Sequence, residues 1–236
     1  MVKQAAKPAG KAAPTIGIPL APSTTPVPPA VLNVSRMVWP RGLLIHRLHQ
    51  DLYAPDAFNP GVKGNARFSP IKNAAGDPIP TLYGSTTFDC AAMQTVFHDV
   101  PFAPGFKSLD KHKLKSQLHS ILLPTDDLTL ADLSSVALRK LSVQRSQLID
   151  TEKDRYPNTR LWAEAIHAQC PDLHGLCWIS RQDDRARAVV VFGDRVCTAT
   201  LRPQGTSRNL LLDLNAYAEV LALADRIGVT LIAGKS

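Results

Sequence analysis

The polar residues with the widest chemical reach sit in five short stretches. They are Ile45-His46-Arg47-Leu48, Gly64-Asn65-Ala66-Arg67-Phe68-Ser69-Pro70, Leu82-Tyr83-Gly84-Ser85, Ala91-Ala92-Met93-Gln94-Thr95-Val96-Phe97-His98 and Trp178-Ile179-Ser180-Arg181. Arg47 and Arg67 each offer a guanidinium, a planar fork suited to two-point contact with phosphate. Tyr83 joins an apolar ring to a hydroxyl donor, and the Ser180 hydroxyl can donate and accept. Arg67 lies among Gly, Asn and Pro, the loop composition in which ligand-binding residues are often found. Read singly, most of these residues have ordinary explanations. Arg47 is an ion-pairing residue at a strand end, Tyr83 a core aromatic and Ser180 the cap of a turn. His98 is a structural histidine at a helix end, where the dipole favours it. His46 adjoins Arg47 on a strand, faces the opposite way and takes no role.

Several other chemistries find little support. A serine hydrolase built from Ser180, His98 and an aspartate lacks the Gly-x-Ser-x-Gly elbow. His46 with His49, or His112 with His119, has no accompanying ligand set, so no metal is expected. Cys90, Cys170, Cys177 and Cys197 form no CxxC pair and read as reduced thiols of a cytoplasmic protein. No apolar run is long enough to span a bilayer. The basic start (Lys3, Lys7, Lys11) is broken by Pro14, Pro19 and Pro22, unlike a secretory signal. The formal charge of the 236 residues is +7. Four of those charges, with no acid, fall in residues 1–38, which leaves the body at +3. Such a body suits a small anion as well as a nucleic acid, and neither a glycine-rich phosphate loop nor a zinc-finger spacing is present.

The elements that must carry these residues mix strands and helices without regular βαβ alternation, which predicts the α+β class. Residues 1–38, rich in Pro, Ala and Lys, read as a flexible arm, with 31–38 able to dock on the body. The body, 39–236, reads as one domain starting near Trp39. Strands are expected at 43–48, 81–84, 114–123, 175–180 and 188–192. Helices are expected at 129–141, 159–169 and 215–227, the last stopped by Gly228. A further helix starts near Thr86, with Asp89 completing a capping box. It carries Cys90, Met93 and Phe97 on one face and Ala91, Gln94 and His98 on the next.

In their order and spacing these stretches resemble the RES family, named for its arginine, glutamate and serine. The likeness runs from about Arg41 to about Ile227. Its most specific part is Gly-x-x-Arg-aromatic-x-Pro, then Leu-Tyr, then an Ala-rich helix ending Val-Phe-His; Gly-Leu-Cys-Trp-Ile-Ser and Phe192-Gly193-Asp194 add support. The resemblance implies a fold similar to ADP-ribosylating toxins, with NAD in a cleft as substrate, no metal, and a cognate antitoxin as partner. Nucleic acid would then be met only through that antitoxin. By position Arg47 and Arg67 match the family's arginines and would hold the pyrophosphate. Tyr83 and Ser180 match its tyrosine and serine and would hold the nicotinamide riboside end. Gln94, eleven residues after the tyrosine, stands where the family has its catalytic glutamate.

Cleavage of a nicotinamide–ribose bond passes through an oxocarbenium-like centre that a carboxylate stabilises. A glutamine can still bond a ribose hydroxyl but supplies no charge. A deliberately disarmed enzyme is the preferred explanation, because the rest of the site is intact. A natural silent relative, or replacement by another acid, are the alternatives. Of the three glutamates, Glu152, Glu164 and Glu219, only Glu164 is a candidate replacement. The implied activity is that of an NAD glycohydrolase or phosphorylase, with inorganic phosphate as co-substrate in the second case. Protein ADP-ribosyl transfer, a non-catalytic NAD- or antitoxin-binding module, and a basic nucleic-acid binder are the competing readings.

Overall fold

Alternation and end signals account for most elements of the computed structural model, which describes residues 24–234. The strands are β1 (Arg36–Trp39), β2 (Ile45–Gln50), β3 (Ile71–Lys72), β4 (Pro78–Ile79), β5 (Thr81–Ser85), β6 (Lys107–Asp110), β7 (Gln117–Pro124), β8 (Leu128–Asp132), β9 (Gly175–Ile179), β10 (Arg187–Phe192), β11 (Leu201–Pro203), β12 (Arg208–Asn209) and β13 (Val229–Ile232). The helices are α1 (Phe88–Met93), α2 (Arg145–Leu148), α3 (Tyr156–Gln169) and α4 (Leu214–Arg226). The class is α+β, as the sequence suggested.

Nine strands make one curled, half-barrel sheet in the order β1-β8-β9-β10-β5-β2-β7-β11, with β12 also on β7. Every pairing in it is antiparallel except β8 with β9. Central β10 is buried at every position after Arg187, as its unbroken apolar run requires of a strand covered on both faces. Trp162, Ile166 and Ala163 of α3 pack with Trp178, Val190 and Phe192 on one side of the sheet. A second cluster comes almost wholly from strands: Trp39, Ile45, Leu82, Leu122, Leu130, Val189 and Val191. Alternate residues of one strand thus feed two cores, as the period of two demands. A third core joins α1 and α4 to the small parallel sheet of β6 and β13. α4 is capped by Asp213, whose side chain accepts from Ala216 N, and ends before Gly228 at φ +66°.

Three local expectations need correction. The helix expected at 129–141 is β8 followed by a short 3-10 turn, Ala137–Arg139. Leu-Thr-Leu-Ala-Asp-Leu suits either period, and pairing to both β1 and β9 decides for the strand. α1 begins at Phe88 and is capped by Thr87, which accepts from Cys90 N; Thr86 instead bonds Arg187 of β10. α1 also ends at Met93, so Phe97 and His98 lie in the turns beyond it.

Of the arm expected at 1–38, residues 1–23 lie outside the described residues. Residues 24–38 run along the body. Thr25 Oγ1 donates to Gln147 O at 2.6 Å, Trp162 Nε1 donates to Pro26 O at 2.7 Å, and Arg36 pairs with Asp172. Among the described residues no helix is long and apolar enough to cross a membrane.

Candidate active site

A cleft of about 350 Å³ opens where β5, the end of α1, the start of α3 and the turn after β9 meet. That volume lies in the range of small-molecule sites, ~300–1,000 Å³. Arg67, Tyr83 and Gln94 all line it, together with Tyr156, Trp178 and Arg181. Ala91 and His98 line it as well, so the face shared by Ala91, Gln94 and His98 persists although the helix stops at Met93.

Tyr83 projects from β5, and its hydroxyl accepts from the backbone N–H of Phe68 at 2.9 Å. This bond ties the strand to the loop that carries Arg67. Burial raises the Tyr83 pKa, so the phenol stays protonated and keeps its own proton to donate. The ring meets Trp178 edge to face, with centroids 6.3 Å apart.

Arg67 is buried, and burial lowers its pKa. Its Nη1 donates to Thr151, its Nη2 reaches the Tyr156 hydroxyl at 3.5 Å, and its guanidinium lies 5.0 Å from the centre of the Tyr156 ring. Among the described residues no carboxylate pairs with it. The other cations of the cleft are matched: Lys153 with Asp99, and Arg181 with Glu152. A buried cation held by neutral partners is costly unless an anion arrives. Arg67 is therefore the cleft's natural anion contact.

Gln94 sits at the C-cap of α1, and its Nε2 donates to Ser180 Oγ at 3.1 Å. Ser180, fully buried just past β9, also accepts from the backbone N–H groups of Gln182 and Asp183 at 3.1 and 3.3 Å. It caps a turn and at the same time touches the cleft residue. The neighbouring Cys90 thiol is pushed up to about 11 by burial and is no nucleophile at neutral pH. His98 bridges Asp99, at 2.7 Å from Nδ1, and the Tyr156 hydroxyl, at 3.2 Å from Nε2.

Arg47 is not brought to this cleft. Its neighbours His46 and Leu48 line it, while Arg47 is buried away from it, with Nη1 donating to Pro55 O at 2.7 Å. Burial pushes its pKa down to about 10, which still leaves it charged. Alternation separates His46 from Arg47 but does not say which one faces the cleft, and here it is His46. Glu164, the candidate replacement acid, accepts from Lys72 N on the outside of the domain. Among the described residues none of the three glutamates lines the cleft, and Asp99 is the single acid that does. Tyr156 went unnoticed in the sequence, Trp178 and Arg181 were given no role, and His46 was set aside as facing away from the ligand. Trp178 and Arg181 flank Ser180 in a quoted motif, a signal that was available.

A family model described as the RES domain matches residues 44–213. No curated protein matches the chain.

Proposed function

The chain belongs to the RES domain family, a toxin family of NAD-degrading enzymes, and on that premise we propose that its cleft binds NAD and is built to break the nicotinamide–ribose bond. The observation that carries this is the convergence of Arg67, Tyr83 and Gln94 on one cleft of suitable size. Arg67 takes the pyrophosphate. Tyr83 and Trp178 wall the nicotinamide ring, and Gln94, held by Ser180, meets the ribose. Arg47 is left out of the ligand contacts because it does not line the cleft.

In the reaction the bond from ribose C1′ to the ring nitrogen breaks, and its electron pair returns to the nitrogen, which becomes neutral. The cationic C1′ is then captured by an oxygen of water, which loses a proton and leaves ADP-ribose, or by an oxygen of inorganic phosphate, which leaves the glycosyl phosphate. A carboxylate at position 94 would oppose the charge growing on C1′. At about 4 Å and an effective dielectric near 20 that is worth ~4 kcal/mol, or about a thousandfold in rate. Gln94 forgoes it, so this chain binds NAD and turns it over slowly.

The experiment is Gln94→Glu with an assay of NAD loss, which should rise by about a thousandfold. No gain removes the disarmed-enzyme reading. Labelled NAD separates the acceptors: label on protein means ADP-ribosyl transfer, free nicotinamide alone means hydrolysis or phosphorolysis. Binding measured by calorimetry with no turnover even in Gln94→Glu would favour a non-catalytic module, the reading that the missing carboxylate also suits. RES toxins typically pair with antitoxins. Exposed Phe102 and Phe106, on the loop after cleft residue Asp99, offer apolar surface for such a partner.

A further inference from the structure

His46 belongs to two hollows at once. It lines the cleft described above and also an open groove bounded by Phe88, His119, Arg208 and Glu219. A continuous chain of hydrogen bonds runs through that groove to it. Glu219 accepts from Nη1 and Nη2 of Arg208, each at 3.0 Å. Arg208 Nη2 also meets Nδ1 of buried His119 at 2.8 Å, and His119 Nε2 stands 3.0 Å from Nδ1 of His46. The two imidazoles are within 9° of parallel with centroids 5.2 Å apart. With so short an N···N distance, they lie edge to edge in nearly one plane, the arrangement of a straight N–H···N bond.

This chain fixes where every proton sits. A guanidinium has donors only, so His119 Nδ1 must be the bare nitrogen. A neutral imidazole has one donor and one acceptor, so the His119 proton is on Nε2 and points at His46. His46 Nδ1 therefore accepts, and the His46 proton is on Nε2. Protonating either ring would set N–H against N–H, and the last would face a cation. Burial lowers the pKa of both histidines, that of His119 to about 3; His46 and Arg208 add to it at His119, while at His46 Glu219 opposes it and Arg208 adds to it. Among the described residues His46 Nε2 has no partner, and it is not sealed from solvent. Nor is the pair a metal set, because Arg208 occupies the outer nitrogen of His119.

We propose that His46 is a ligand-binding residue of the cleft whose Nε2–H, locked as a donor by Glu219, Arg208 and His119, bonds an acceptor oxygen of the bound dinucleotide. The proposal rests on reading the cleft as an NAD site. His46 is the donor, and Arg208 with His119 are positioning residues that keep it one. A site of this kind takes a ribose, carboxamide or phosphate oxygen and rejects an N–H or an ammonium in the same place.

The test uses the full chain and NAD itself. Nitrogen-15 spectra of the histidine rings should show protonated Nε2 and bare Nδ1 on both His46 and His119, and NAD should shift the His46 Nε2 signal. By calorimetry His46→Phe should bind NAD about tenfold more weakly, the loss of one hydrogen bond to a charged or polar group. His46→Gln retains a donor and should stay within about threefold. Arg208→Met should release the tautomers, with both ring nitrogens of His119 then averaging between bound and bare states. A proton on Nδ1 of His46 in the intact protein overturns the lock. If His46→Phe binds NAD like the parent, or NAD leaves the Nε2 signal unmoved, the donor role falls while the NAD reading stands. The spectral shift serves alone if His46→Phe does not fold. A parent chain that binds no NAD fails the reading of the cleft and the donor role together, and the ring spectra still report on the lock.

Discussion

The side-chain amide of Gln94 donates to the Ser180 hydroxyl across 3.1 Å and so joins the end of α1 to the turn after β9. Ser180 is thus shared between the turn and the cleft residue Gln94. Ser180→Ala would leave the N–H groups of Gln182 and Asp183, in a part-buried turn, without their acceptor. The expected cost is ~1–3 kcal/mol of stability, read as a lower urea midpoint, together with weaker NAD binding by calorimetry. An unchanged midpoint would mean that the hydroxyl does not hold the turn.

Arg67 and Arg47 should separate cleanly. Arg67→Lys replaces a fork seated on Thr151 and the Tyr156 ring by a point charge that fits neither. NAD affinity should fall by about tenfold or more, the effect of losing one charge-assisted contact. Arg47→Lys breaks a buried bond to Pro55 O outside the cleft and should lower the melting temperature, with NAD affinity changed by less than about threefold. The reverse ranking would show that the face of β2 bearing Arg47 is the one that meets the ligand.

Acid should loosen the fold through His119. Its folded pKa, about 3, lies below the unfolded value of about 6.5. Between these values the unfolded chain binds the extra proton, so stability is complete above pH ~6.5 and is lost as pH falls toward 3. Each pH unit in that window removes up to about 1.4 kcal/mol per such histidine. Urea midpoints at pH 7.5 and 5 should therefore differ, and His119→Gln should reduce the difference. Equal pH dependence in the two proteins would exonerate His119.

Gly84 is held by space rather than by backbone angle. A Cβ there would come within 2.2 Å of Ile45 Cγ2, a fully buried side chain on the neighbouring strand. Gly84→Ala should cost ~1–3 kcal/mol, the usual penalty for overpacking, and should also perturb the cleft that Gly84 lines. Denaturant titration reads the first effect. Wild-type stability in the variant would show that β2 and β5 can part at no cost.

Much of the site was legible because the residues that meet in the cleft come from short stretches with their own order and spacing. Arg67, Tyr83 and Gln94 were all found that way, and the cleft contains them. What the sequence hid depends on partners far along the chain. The face of β2 that meets the cleft is chosen by β5 and β7, not by the alternation of His46, Arg47 and Leu48. β8 reads as helix until β1 and β9 are placed beside it. Tyr156 reaches the cleft only because α3 begins beneath the Arg67 loop, where its hydroxyl meets Arg67 and His98.

β1 lies at one end of the large sheet, hydrogen-bonded along its length to β8, and it ends five residues before the family match begins. A fragment begun where the match begins would strip that strand away. The outer N–H and C=O groups of β8 would then be left bare, the kind of edge that recruits a stranger's strand. Aggregation of a fragment trimmed at residue 44 would accordingly report a missing selvedge together with the loss of buried Trp39 from the core.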